Sequence, residues 1–245
     1  MIELSAFDYE HDGTTLCGRL AIPSGDGPHP GVLVMHNAHG LGEQVRRRAL
    51  LLAEAGYAAL ATDMYGGGRH FASPEETGPH FLALQDDPKR LHARIAAGYE
   101  ALRRLPGVDA DRIGAIGFCF GGQCVLELAR RGAEVKSVVS FHGLLRTDTP
   151  ARPGEVSAKV LAITGARDPF VPMADVQAFQ SEMTAAGVDW QMTVYGEGWH
   201  AFTDPDTEVF APGRGTRYDP LLDRLSWAQT MAYLDATLRG VDGQD

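Results

Sequence analysis

Along this chain, short apolar runs alternate with stretches of helical repeat. G-V-L-V-M (31–35) is apolar at every position and partly β-branched, the pattern of a strand buried on both faces. Residues 42–55 follow with helical spacing and stop at Gly56, a C-terminal cap signal. Y-A-A-L-A-T (57–62) reads as the next strand, and 88–105 as a helix closed by Pro106-Gly107. R-I-G-A-I-G (112–117) is a strand and 122–131 a helix ended by Gly132. V-K-S-V-V-S (135–140), K-V-L-A-I-T (159–164) and W-Q-M-T-V-Y (190–195) are further strands, with helices near 173–186 and 220–239. At the start, 7–23 reads as two strands joined near Asp12-Gly13, an antiparallel hairpin.

Strands and helices in alternation predict an α/β fold: a mostly parallel sheet with helices on both faces, behind an N-terminal antiparallel hairpin. No repeat and no Pro-, Gly- or Ser-rich linker divides the chain, so one domain over 1–245 is expected. The stretches 64–86 and 201–219 show neither period and are long for connections. They are candidate lids or pocket walls.

Charge narrows the function classes. The 245 residues carry a formal net charge of −10, which disfavours a nucleic-acid partner. The basic run Arg46-Arg47-Arg48 reads as a solvated helix face. No apolar stretch approaches the roughly 18 residues of a membrane span, and the first ten residues lack the features of a signal peptide. Cys17, Cys119 and Cys124 are odd in number and scattered, suggesting neither a disulfide framework nor a zinc site. A cytoplasmic location is the expectation, with no cofactor, a small-molecule substrate, and a monomer or small homo-oligomer.

The candidate chemistry starts in A-I-G-F-C-F-G-G (115–122). A cysteine used only as a small buried hydrophobe needs no glycine frame. Here Gly117 and Gly121 flank Cys119 two residues either side, the pattern G-x-S-x-G with sulfur for oxygen. It falls where a parallel strand hands over to a helix, the edge at which open α/β sheets bind ligands. The free N–H groups of that helix favour a thiolate. A nucleophile of this kind needs a base and a group to orient the base. Asp168, in G-A-R-D-P-F-V-P after one strand, and His200, in G-E-G-W-H-A-F after the next, follow in the order nucleophile, acid, histidine.

Other residues are weighed against these. His36 and His39 lack a third ligand and the H-E-x-x-H spacing, so no metal site is expected there. The segment after 31–35 is where this fold draws one oxyanion donor, making the N–H groups of Ala38 and Phe120 the candidates. Phe118 and Trp199, beside the nucleophile and the histidine, are candidate pocket residues with His36 and Asn37. Gly66-Gly67-Gly68 lacks the Lys-Ser/Thr ending of a phosphate loop and is expected to shape a mobile loop.

On D-G-T-T-L-C-G-R-L-A-I-P, G-Y-A-A-L-A-T-D-M-Y-G, G-F-C-F-G-G, G-A-R-D-P-F-V-P and G-W-H-A-F, the chain resembles the dienelactone hydrolase family over nearly its full length. That resemblance implies an α/β-hydrolase fold, a Cys119–His200–Asp168 triad, and hydrolysis of a lactone or small carboxylic ester through a thioester. Two departures stand out. Asn37 occupies the place where the family commonly has a glutamate that takes the cysteine's proton. Asp204 stands four residues after the histidine, where an arginine would hold a substrate carboxylate. A neutral or larger ester is therefore expected. The competing class is a non-catalytic ligand-binding or regulatory descendant of the same fold.

Overall fold

A computed structural model describes residues 2–210 and 213–240. Eight strands form one sheet, in the order β1-β2-β4-β3-β5-β6-β7-β8. Strands β1 (Ser5–His11) and β2 (Thr14–Ala21) pair antiparallel, and β2 pairs antiparallel with β4 (Ala58–Ala61). The turn between β1 and β2 places Asp12 at φ 48° and Gly13 at φ 68°. Positive φ at both central residues matches the right-handed twist of the hairpin strands. Strands β3 (His29–Met35), β5 (Val108–Phe118), β6 (Ser137–Phe141), β7 (Lys159–Gly165) and β8 (Trp190–Tyr195) run parallel in succession, with β4 parallel to β3. This is the α/β-hydrolase arrangement expected from the alternating runs.

Why the middle strands read as unbroken apolar runs is plain from their two covered faces. Helices α3 (Pro88–Arg103), α4 (Phe120–Arg130) and α5 (Met173–Ala185) supply one core with Ala115, Val138 and Val160. Helices α1 (Glu43–Glu54) and α7 (Pro220–Leu238) flank the other, with Ile116, Val139 and Leu161. Successive strand residues point to opposite faces. That period places Phe118 with Ile116 in the α1/α7 core, fully buried and stacked on Phe141 at 4.6 Å. Phe118 is thus a packing residue and not a pocket wall, correcting the expectation drawn from its position beside Cys119.

Three other expectations change. Strand β5 begins at Val108, four residues early, because its first turn pairs with β3 before the register shift at Pro30/Gly31. Residues Pro74–Gln85, read as irregular, form a helix, α2. Its interior Gly78 and Pro79 hide the helical signal, while the side chain of Ser73 caps it by accepting the N–H of Glu76 at 3.2 Å. Finally, Arg48 is not solvated. On α1 it follows Val45 by three residues, faces α7, pairs with Asp223 and lies over the Trp227 ring at 4.6 Å.

Within the second irregular stretch, Thr207–Phe210 form a single short helical turn, α6. No helix among the described residues is long and apolar enough to cross a membrane.

Candidate active site

Strand β5 and helix α4 meet at Cys119 with only that residue between them. The helix starts two residues earlier than its apolar repeat suggests, so Cys119 is its N-cap. Its backbone sits at φ 53°, ψ −112°, a conformation that costs on the order of 1–3 kcal/mol in a non-glycine residue. Surrounding contacts hold it there. A Cβ on Gly117 would lie 2.0 Å from the Gly121 oxygen, and one on Gly121 would lie 2.1 Å from the Met35 oxygen. The glycines framing the cysteine are therefore space requirements of the elbow, set by backbone crossing backbone.

The thiol's surroundings favour negative charge. Cys119 stands at the N-terminal end of an 11-residue helix, where free N–H groups and the helix dipole point at it. The Cys119 N–H itself is spent, donating to the Phe141 oxygen at 3.0 Å and to Nδ1 of His142 at 3.2 Å. The N–H groups of Ala38 and Phe120 donate to no acceptor among the described residues.

His200 and Asp168 reach the same edge from the ends of β8 and β7. His200 Nδ1 lies 2.8 Å from Asp168 Oδ2, and both residues are buried. The other oxygen of Asp168 accepts the N–H groups of Phe170 (2.8 Å) and Val171 (3.2 Å), which lock the carboxylate's orientation. Cys119 is near enough for its charge to act on the imidazole. Burial alone would lower its pKa. The charge of Cys119 and the Asp168 carboxylate outweigh burial, and His200 is pushed up to about 10. The structure thus pairs His200 with Asp168 at the sheet edge that carries Cys119.

A second histidine was not anticipated. His142 follows β6 directly, is buried at φ 39°, and its ring meets that of His200 edge-on at 5.2 Å. Because Nδ1 accepts from Cys119, the proton of the neutral ring sits on Nε2 and donates to Thr203 Oγ1 at 2.8 Å. Thr203 Oγ1 also accepts from Gln44 Nε2 at 3.0 Å. Burial, then the neighbouring His200, hold His142 well below the ordinary histidine range.

Asn37 and Asp204, both singled out in the sequence, touch each other. Asn37 Oδ1 accepts the His39 N–H at 2.9 Å, so its amide nitrogen faces the other way and donates to Asp204 Oδ2 at 3.0 Å. Gln44 Oε1 lies 3.4 Å from the same nitrogen. Asp204 is 4% exposed, and burial pushes its carboxyl up to about 6. Asn37 is therefore engaged with Asp204 and not with the thiol.

The remaining candidates have structural partners. His36 is fully buried, takes the Met64 N–H on Nε2 at 3.1 Å and donates from Nδ1 to the Asn37 oxygen at 2.6 Å. It braces the turn that carries Asn37 and Ala38. His39 pairs with Thr77 at 3.1 Å, and no cluster able to hold a metal occurs among the described residues. Trp199 is half-buried, and its buried indole N–H has no hydrogen-bond partner among the described residues. Asp63 accepts N–H bonds from Gly66 (2.9 Å) and Gly68 (2.7 Å), tying down the triple-glycine loop that was expected to be mobile.

Comparison with known proteins agrees with this fold. A model of the dienelactone hydrolase family matches residues 16–238. A curated relative from Bradyrhizobium sp, named a probable 2-oxo-3-(5-oxofuran-2-ylidene)propanoate lactonase, is 29% identical over 95% of each chain. Among solved structures, one titled m3DLH superposes with a TM-score of 0.91 at 38% identity, covering 97% of this chain and 99% of its own. Another, a dienelactone hydrolase-like promiscuous phosphotriesterase from metagenomic libraries, gives 0.90 at 33% identity, covering 96% and 98%.

Proposed function

The chain belongs to the dienelactone hydrolase family, and from that premise we propose that it hydrolyses a lactone or small carboxylic ester that carries no carboxylate, with Cys119 as nucleophile. The observation that carries this reading is the strained Cys119 at the head of α4, on the same sheet edge as a histidine that Asp168 holds at 2.8 Å.

The cycle starts from the ion pair in which His200 holds the proton and Cys119 attacks as thiolate. The sulfur attacks the substrate carbonyl carbon, and the oxygen, now an anion, takes the N–H groups of Ala38 and Phe120. Such a donor contributes roughly 3 kcal/mol to the transition state. Collapse breaks the carbon–oxygen ester bond. His200 gives its proton to the departing alkoxide and leaves a thioester on Cys119; with a lactone, the alcohol stays attached to the acyl group. His200, now neutral, takes a proton from water as the water oxygen attacks the thioester. The second collapse releases the acid and restores thiolate and imidazolium. Asp168 keeps Nδ1 protonated and the ring in place throughout.

This cycle needs no carboxylate at position 37. The proton that the family's glutamate would take is already on His200. Asp204, buried and held by Asn37, offers a substrate carboxylate no cation, which supports a substrate without negative charge.

Mass spectrometry during turnover of p-nitrophenyl acetate tests the proposal. An acetyl adduct on Cys119 that is absent, together with product release, in Cys119→Ala is the expected result. Equal release by both proteins, with no adduct, would overturn it.

A further inference from the structure

A cavity of about 720 Å³ opens over α4, between α3 and α5. The proposed catalytic groups do not line it, but neighbours of Cys119 and His200 do. Gln123, one turn along α4, returns its N–H to the Cys119 oxygen at 3.2 Å, and Phe170 packs edge-on against the His200 ring at 4.8 Å. Leu144, two residues past the histidine that binds the Cys119 N–H, forms another wall. Space of this size is in the range of sites that enclose a small ligand.

The cavity lining carries more acids than bases, with Asp148 among Glu127, Asp175 and Glu182. Arg130 binds Glu127 at 3.0 Å and Glu182 at 2.8 Å; His92 donates to the other Glu127 oxygen at 3.0 Å. Arg146, at the mouth, is held by Asp175 at 2.7 Å. Arg130 and Arg146 each already face a carboxylate, which disfavours a further one in the cavity. Gln85 and Gln123 pair amide to amide, at 2.9 and 3.3 Å in the two directions, so each keeps one N–H for a neutral acceptor. Phe170, Leu144, Leu145 and Phe179 supply apolar wall.

We propose that this cavity is the acyl subsite: it receives an extended, uncharged acyl group of the ester, such as a medium alkyl or aryl chain with at most a neutral polar end. The inference rests on the hydrolytic reading above and deepens it from bond to substrate class. It makes Ala178, exposed on α5 at the cavity wall, and Thr147 specificity-determining positions.

The test compares p-nitrophenyl acetate, octanoate and a chain-matched ester ending in a carboxylate, and measures binding of the uncharged fluorescent probe N-phenyl-1-naphthylamine. The wild-type protein should prefer octanoate to the carboxylate-ended ester by at least tenfold in kcat/KM. Ala178→Trp, or Thr147→Trp should the first not fold, should lower the octanoate-to-acetate ratio at least tenfold and weaken probe binding. Cys119→Ser should bind the probe as the wild type does. An unchanged ratio and unchanged probe binding in the folded tryptophan variants would overturn the subsite, as would preference for the carboxylate-ended ester. Probe binding that the tryptophans abolish, without turnover of any ester, would leave the cavity standing and refute the hydrolytic reading instead.

Discussion

His200 and His142 lie in ring contact, 5.2 Å apart and both buried, yet their protonation is driven in opposite directions. His200 is pushed up to about 10, whereas His142 is held well below the ordinary range. Burial works against the charged form in both, so partners decide the difference. His200 has a carboxylate on Nδ1 and feels the charge of Cys119. His142 has a backbone N–H aimed at Nδ1, where no added proton fits, and a threonine hydroxyl at Nε2. One ring is built to hold and release a proton. The other is built to stay neutral beside it, so the imidazolium meets no second positive charge and the Cys119 turn gains a fixed acceptor.

The largest effect should come from erasing what separates the two rings. Asp168→Asn removes the carboxylate from His200 and presents an amide that can favour the wrong tautomer. Turnover of a chromogenic ester should fall about 10⁴-fold, with the fold retained by circular dichroism. A loss below tenfold would mean that His200 does not depend on Asp168.

The neutral side is broken more gently. Thr203→Val leaves the Nε2–H of His142 and the amide of Gln44 without their shared acceptor. Urea unfolding at pH 7.5 should show a loss of about 1–3 kcal/mol, while kcat/KM falls less than tenfold. A large kinetic loss with intact stability would make the network part of the chemistry.

A smaller and opposite shift sharpens the contrast at its outer end. The folded Asp204 carboxyl sits at about 6 against an ordinary 3.8, so the native state binds the extra proton between those values. Stability contributed by the protonated group is present near pH 4 and is lost as pH rises through about 6. Asp204→Asn should therefore stabilise the protein at pH 7.5 by about 1–2 kcal/mol and confer no gain at pH 4. Equal effects at both pH values would refute the burial of an ionised carboxylate beside Asn37.

How much of this was legible in the sequence follows from how local each feature is. The elbow around Cys119 was legible because steric demands at one tight turn fall on Gly117 and Gly121, two residues away. Asp168 and His200 were legible through chain order after two strands. The sheet itself was written in the fully apolar runs of its central strands. Contacts among His142, Thr203, Gln44, Asn37 and Asp204 join positions up to 167 residues apart, and no short pattern encodes them. The departures at 37 and 204 were each visible singly, but their hydrogen bond to each other was not. A histidine immediately past β6 was the available signal for His142. Arg48 and Phe118 were misjudged for a related reason: a run of arginines and a neighbour of the nucleophile say nothing about which face of the sheet each side chain meets.

Nitrogen-15 NMR of the histidine side chains across pH 5 to 10.5 tests the central claim most directly. His200 should carry protons on both ring nitrogens until the pH approaches 10, while His142 stays neutral, protonated at Nε2 alone, down to pH 5. Titration of His200 near 6.5, or protonation of His142 alongside it, would contradict a site in which two touching histidines hold opposite charge states.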